Sequence, residues 1–346
     1  MNLRGAGFLL PLGLPILALV GAFAGGTWNL LTPVFVFGVL PVLDHAFGPD
    51  RWNPTADQER MLAQAVWYRA VLFAYGALHF ALLAGVAWLA PNLAPVELVG
   101  VALATGIATG GIGITVAHEL GHKRDRAGRT LAWLLLGSVA YSHFLIEHNR
   151  GHHGRVATTD DPASARLGEG FWRFLPRTVA GGLRSAWAFE RAPLPRNAVV
   201  LGGLLTAFLF AVGTVLGGVA ALALLALQAM VAITLLEAVN YVEHYGLERA
   251  RHSDGGWAPV TAQHSWNASH RLTNWFLFNL QRHSHHHIDH ARPYQTLQHL
   301  EQSPQLPTGY SGMVLLALLP PLWERVMGPR TRAYRAAHPV AAGAAA

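Results

Sequence analysis

Six long apolar runs leave this chain few ways to fold. They cover residues 7–23, 28–46, 67–90, 96–117, 198–216 and 219–240, and the charges among them, Asp44, Arg69, Glu97 and Glu237, each lie within a turn of a boundary. A helix needs roughly 20 apolar residues to cross the hydrocarbon of a bilayer, and in lipid only a helix or a closed barrel satisfies its own backbone. An all-α integral membrane protein is therefore expected. Composition agrees: of 346 residues 52% are apolar and 13% charged, whereas an ordinary globular chain carries about 25% charged residues. There is no cysteine, which excludes a disulfide framework, a zinc ribbon, an iron–sulfur cluster and a thiolate-bound haem.

The turns near 24–27, 91–95 and 217–218 contain no Lys or Arg. The positive-inside rule turns these three outward and places both termini and the long polar stretches in the cytoplasm, as in a bacterial-type inner membrane. The expected architecture is one membrane domain over residues 1–346, three helical hairpins carrying a cytoplasmic cap built from 118–197 and 241–346. Residues 131–146 are apolar but short, between Arg129 and Glu147. A crossing there would put the histidines before and after it about 30 Å apart, so a re-entrant or interfacial helix is expected. Residues 313–319 are likewise too short to cross. Arg4, an apolar core and Ala22-Phe23-Ala24 also fit a signal peptide; a retained span is expected, because the next apolar run begins a few residues later.

The chain carries a net charge of +6, with every basic side chain an arginine except Lys123. A basic soluble protein would suggest nucleic acid. Here membrane topology accounts for the arginines, and no nucleic-acid partner is expected.

The nineteen histidines are grouped. His118-Glu-Leu-Gly-His122 ends the fourth run with two imidazoles on one helical face. Glu147-His148-Asn-Arg-Gly-His152-His153 repeats that spacing, Asn240-Tyr-Val-Glu-His244 ends the sixth run, and His283-Ser-His-His286-His287 follows further on. All four groups fall on one side of the membrane in this topology. Imidazole binds iron, copper, nickel and zinc, and nine such residues exceed the needs of one ion but suit two. His45, His79, His143, His252, His299 and His338 read as ordinary core or surface residues. H-E-x-x-H alone is the zinc metallopeptidase signature, but that reading needs one further ligand and leaves six other clustered histidines without a role. A histidine-rich metal transporter would want ionisable residues mid-span, where only His79 stands out.

Together the motifs H-E-L-G-H-K (118–123), E-H-N-R-G-H-H-G-R-V-A-T-T-D-D-P-A-S-A-R (147–166), N-Y-V-E-H-Y-G-L (240–247), H-S-W-N (264–267), L-Q-R-H-S-H-H-H (280–287), Y-Q-T-L (294–297) and L-P-T-G-Y (306–310) resemble the membrane-bound alkane monooxygenases, the alkane ω-hydroxylases. His285 stands where that family usually has aspartate, and Ile288-Asp289-His290 departs from its usual run. The resemblance implies a non-haem enzyme with two iron ions held by His118, His122, His148, His152, His153, His244, His283, His286 and His287. It implies hydroxylation of a terminal methyl group of medium-chain alkanes, with dioxygen as co-substrate and electrons from rubredoxin, itself reduced by a rubredoxin reductase. The same histidine boxes also suit hydroxylation of aromatic or terpene methyl groups, and desaturases share them.

An imidazole ligand is commonly oriented through its second nitrogen by a carboxylate or amide. Glu119, Glu147, Asp160, Asp161, Glu237, Asn240, Glu243 and His285 are candidates. An alkane offers no polar handle, so its binding rests on apolar burial in a channel reached from membrane lipid. Phe35, Val36, Phe37 and Leu40 are candidates for its wall, with Leu82, Val86 and the glycines of 106–113 as further possibilities that also suit close helix packing. Lys123, Arg124, Arg126, Arg150, Arg155 and Arg282 are candidates for steering an acidic electron carrier.

Overall fold

The computed structural model describes residues 3–339, and among them every regular element is helical. Four helices, Arg4–Ala24, Gly26–Phe47, Val66–Asn92 and Pro95–Gly121, are long and apolar enough to cross a membrane once. A fifth, Ala198–His244, has 47 residues; straight, it would reach about 70 Å, more than twice the hydrocarbon thickness. It is broken instead. Gly217 (φ −141°, ψ 22°) and Gly218 (φ 62°, ψ −156°) leave helical geometry, and the positive φ of Gly218 is one that glycine adopts without penalty. Thr206 Oγ1 donates to the carbonyl of Gly137 (3.0 Å), while Gln228 Nε2 donates to that of Ser138 (2.8 Å). Two residues on opposite sides of the break thus meet adjacent carbonyls, so the chain reverses there. The segment supplies two spans, so the described residues form six spans in three hairpins of a multi-pass membrane protein.

The hairpin turns are tied together away from the histidines. Glu97, in the first turn of the fourth span, accepts from the backbone N–H of Ala94 (3.1 Å) and of Gly26 (2.9 Å). The first span buries Leu14, Ala18 and Ala22, and Phe8 packs edge-on against Tyr68 and Tyr294. It is an integral part of the bundle. Ile16, Val20, Val42, Val96, Phe208, Val215 and Val219 remain exposed on the outside of the spans, as lipid-facing positions require.

The segment 131–146 is re-entrant and is not one helix. Helix Arg126–Ser138 starts with the side chain of Asp125 accepting from the N–H of Gly128 (2.7 Å). It runs inward until Ser138 Oγ meets His79 Nε2 (2.8 Å), midway along the third span. The chain turns through 139–143, with Ala140 at φ 55°, and returns as Phe144–Glu147 followed by a wide turn over His148–His152. Non-helical backbone at this depth needs partners from its neighbours. Gln228, itself accepting from Thr109 Oγ1 (2.7 Å), and Thr206 supply them to the carbonyls of Ser138 and Gly137, and His79 holds the Ser138 hydroxyl. These mid-span polar groups therefore bind the loop tip rather than line an ion path, contrary to the transporter reading. Residues 313–319 do not cross either: helix Tyr310–Ala317 has only eight residues.

Candidate metal centre and substrate channel

The re-entrant loop brings the four histidine groups to one end of the bundle. His118, His122, His148, His153 and His286 offer nitrogens that all lie within 4.8 Å of one another, and His152, His244, His283 and His287 form a second such set. All nine sequence-predicted histidines fall in one set or the other. In the first set, Nε2 atoms approach each other at 3.3 Å (His118–His122), 3.2 Å (His122–His148) and 3.0 Å (His148–His153). In the second, Nε2 of His287 and His283 are 3.0 Å apart. Imidazole nitrogens gathered in two close sets, with His152 Nε2 and His244 Nε2 of one and His286 Nε2 of the other buried and unpartnered, are a donor arrangement that suits metal ions. The residues fit two ions.

Protonation favours the same use. Burial, reinforced by neighbouring imidazoles, holds His122, His148, His153, His283, His286 and His287 well below the ordinary histidine range, leaving them neutral donors. His152 differs: burial lowers it, but the carboxylates of Asp161, Glu147 and Glu237 together outweigh that and raise it.

Of the proposed supports, Asp161 has the expected geometry. Its Oδ2 lies 2.9 Å from His152 Nδ1 and accepts from Ser164 Oγ (2.6 Å), which leaves His152 Nε2 pointing into the set. His244 Nδ1 is held by the carbonyl of His264 (3.3 Å), part of the H-S-W-N motif. Glu243 reaches His283 differently: Oε2 lies 3.1 Å from Nε2, the nitrogen that also faces His287. Glu237 accepts from Tyr141, Thr178 and Asn240, a buried polar group beside the second set. Glu147 is taken by Arg155 (2.7 Å) and Ser185 (3.2 Å); burial and Asp161 push its carboxyl up to about 7.

Other candidates lie elsewhere. Glu119 pairs with Lys123 (2.9 Å) and accepts from the N–H of Tyr294 (3.3 Å), so it joins the fourth span to the segment after the last histidine box. This removes the general base of a zinc-peptidase reading. Asp160 is exposed and accepts from the indole of Trp257 (3.1 Å). His285 accepts the N–H of Gln298 (2.7 Å), anchoring a loop and orienting no ligand. Arg282 does not face a partner: it is buried, donating to the carbonyls of Leu297 (2.5 Å), Asp50 (3.0 Å) and Trp52 (3.1 Å). Arg155 is held by Glu147, Lys123 is half-buried, and Arg124, Arg126 and Arg150 are exposed.

An apolar channel runs between the spans to this centre. Leu14, Val36, Phe37, Leu40, Ile107, Gly111, Leu235 and Val239 line it, and it ends at His118 and His148 of one set and His283 of the other. Phe35 is not on this wall; it packs edge-on against Phe276, which is. Leu82 and Val86 are buried in the core away from it. Gly106 and Gly110 lie tight against Val231 and Ala232, whereas a Cβ at Gly111 would meet nothing within 4 Å.

Several lining residues were not legible beforehand. Tyr310 of L-P-T-G-Y and Thr115 line the channel's polar end, Phe144 stacks on His148 (4.8 Å), and His290 lies against His122 and His153 (5.3 and 4.9 Å). Their signal was adjacency to the histidine boxes. Asp44 serves the fold instead. It accepts from the N–H groups of Leu272 (2.9 Å) and Thr273 (3.0 Å) and from the Thr273 hydroxyl, capping a short helix that carries channel residues.

Six spans with two histidine sets converging at one end define a class of membrane metalloprotein. The fatty acid desaturase family model matches residues 94–315, from the start of the fourth span through all four histidine groups. The chain is 41% identical to alkane 1-monooxygenase 2 of Pseudomonas aeruginosa over 92% of its length and 88% of that protein. It is 38% identical to alkane 1-monooxygenase 2 of Alcanivorax borkumensis, over 92% and 87% respectively. A more distant relative, at 29% over 88% and 83%, is the hydroxylase component of a xylene/toluene monooxygenase of Pseudomonas putida. Within the desaturase class, the chain belongs to the alkane 1-monooxygenase family.

Proposed function

We propose that this protein hydroxylates the terminal methyl group of medium-chain alkanes to 1-alkanols. The nine histidines hold two iron ions, rubredoxin supplies the electrons, and the centre faces the cytoplasm of a bacterial-type inner membrane. One observation carries the reading: a channel with apolar walls ends on histidines of both sets. An unfunctionalised chain enters such a channel by burial alone, and only its end reaches the imidazoles. One oxygen atom of dioxygen enters the alcohol, and two electrons and two protons carry the other into water. Bound iron would supply the activation of dioxygen that an unactivated C–H bond demands.

The chain's own residues do the rest. From Ile107 to His118 the fourth span rises about 16 Å, which matches roughly 13 bonds of an extended chain. Val36, Phe37, Leu40 and Leu235 keep water from it, and Asp161 fixes the His152 ring. The exposed Arg124, Arg126 and Arg150 form the face suited to an acidic electron carrier. Turns free of Lys and Arg at the opposite ends of the spans support the cytoplasmic orientation; the chain ends themselves fall outside the described residues. The xylene/toluene relative favours a second reading, hydroxylation of an aromatic methyl group.

The test is purification in detergent, metal analysis, and turnover of C6–C16 alkanes and of xylene with reduced rubredoxin. Two irons per chain and 1-alkanols are expected. A single zinc, or no alcohol from any alkane, would overturn the proposal. Turnover of xylene alone would establish the second reading.

A further inference from the structure

A second cavity, of about 340 Å³, lies between the re-entrant helix and the start of the fifth span; it shares Arg124 and Arg150 with the basic face assigned above to the electron carrier. Lys123, Arg124, Arg129 and Arg150 surround it, and Trp133, Leu145 and Ile146 give it an apolar side. Gly121 and Ala198, also on its wall, are the histidine-side ends of the fourth and fifth spans. It therefore opens where hydrocarbon gives way to headgroups. Trp133 is wedged against the fifth span, where a Cβ at Gly202 would lie 3.0 Å from its ring.

The four cations are unequally committed. Lys123 is paired with Glu119. Arg150 donates, among the described residues, only to the carbonyl of Phe189 (3.3 Å). Among the described residues, Arg124 and Arg129 have no ion pair or side-chain hydrogen bond. Three guanidinium groups without a carboxylate, around a cavity floored by indole and aliphatic carbon, call for an amphipathic anion.

We propose that this cavity binds the headgroup of an anionic phospholipid. Guanidinium forks match phosphate oxygens two by two, and Trp133 is the side chain suited to the interface. The apolar floor takes the glycerol and first methylenes. A choline or ethanolamine headgroup brings a cation of its own against the arginines, so phosphatidylglycerol is preferred over phosphatidylcholine. A free phosphate has no use for the apolar floor, and an acidic protein surface would not reach into a recess. The bound headgroup lies beside His122, which also lines the cavity, and covers the polar approach to the five-histidine set.

The test is native mass spectrometry of the metal-loaded full chain, titrated with phosphatidylglycerol, phosphatidylcholine or inorganic phosphate. Retention of one phosphatidylglycerol per chain is expected, weakened about tenfold or more by the double substitution R129Q/R150Q. The control R325Q/R330Q, on the exposed face of helix Pro320–Ala337, should leave retention unchanged. Metal content shows that each variant has folded. Equal retention of both lipids, retention unchanged in R129Q/R150Q, or displacement of the lipid by millimolar phosphate would overturn the proposal. So would R129Q/R150Q slowing reduction by rubredoxin with lipid retention intact, which would assign the cavity to the electron donor.

Discussion

Replacing Gly111 by leucine should shorten the channel. Gly110 and Gly111 both line the channel, but only one of them has room for a side chain. A Cβ at Gly110 would sit 2.5 Å from the Ala232 Cα, whereas at Gly111 it enters open channel. Gly111 is seven residues before His118 on the same helical span, about 10 Å along the axis, or roughly eight bonds of an extended chain. The native channel, measured to Ile107, takes roughly 13 bonds. A leucine at 111 therefore removes room for about five methylenes. At ~0.8 kcal/mol each, their burial is worth about 4 kcal/mol against water. A substrate arriving from lipid gains less, so that figure is an upper bound. Dodecane, with eleven C–C bonds, overruns the shortened channel by about three methylenes, about 2.4 kcal/mol, while octane still fits. The ratio of octane to dodecane turnover should therefore rise between about tenfold and sixtyfold. The assay is a competition among C6–C16 alkanes, with the alcohols separated by chain length. Gly111→Ala should fall between the two. An unchanged product distribution from a Gly111→Leu enzyme with full metal content would refute the assigned path.

Four further outcomes are expected. Phe37→Ala should extend the accepted chain length and Phe37→Trp shorten it, read in the same competition, because Phe37 is on the wall. Asp161→Asn takes the carboxylate from His152 Nδ1 and should weaken metal binding about 10–100-fold in the four-histidine set alone, so metal analysis should fall from two ions toward one. Gln228→Leu leaves the Ser138 carbonyl and the Thr109 hydroxyl without their partner. Thermal unfolding should show a loss of about 1–3 kcal/mol. In the metal-free protein, burial keeps His148, His286 and His287 below the usual 6.5. As pH falls through that value the unfolded chain takes up protons that the folded chain refuses, so Tm should drop between about pH 7.5 and 5.5; a flat profile would contradict the burial of these rings.

Hydropathy and spacing were sufficient for the six spans and their pairing, because a bilayer permits one solution for a run of twenty apolar residues. They also picked out nine histidines, since helical spacing puts residues four apart on one face. The roles of individual charges were not legible that way. Arg282 and Arg124 look alike in the chain, yet one is buried under three carbonyls and the other is free at the surface. Phe35 and Val36 are adjacent, and only Val36 lines the channel. Asp160 and Asp161 are adjacent, and only Asp161 meets a histidine. One residue's rotation about a helix or turn reverses what a side chain faces, and packing alone sets that rotation. The division of nine imidazoles into sets of five and four depends likewise on the re-entrant loop, whose tip is held at mid-span by Gln228, Thr206 and His79 from distant parts of the chain. Local pattern determined which residues could bind metal, and long-range packing decided which of them are gathered into one set.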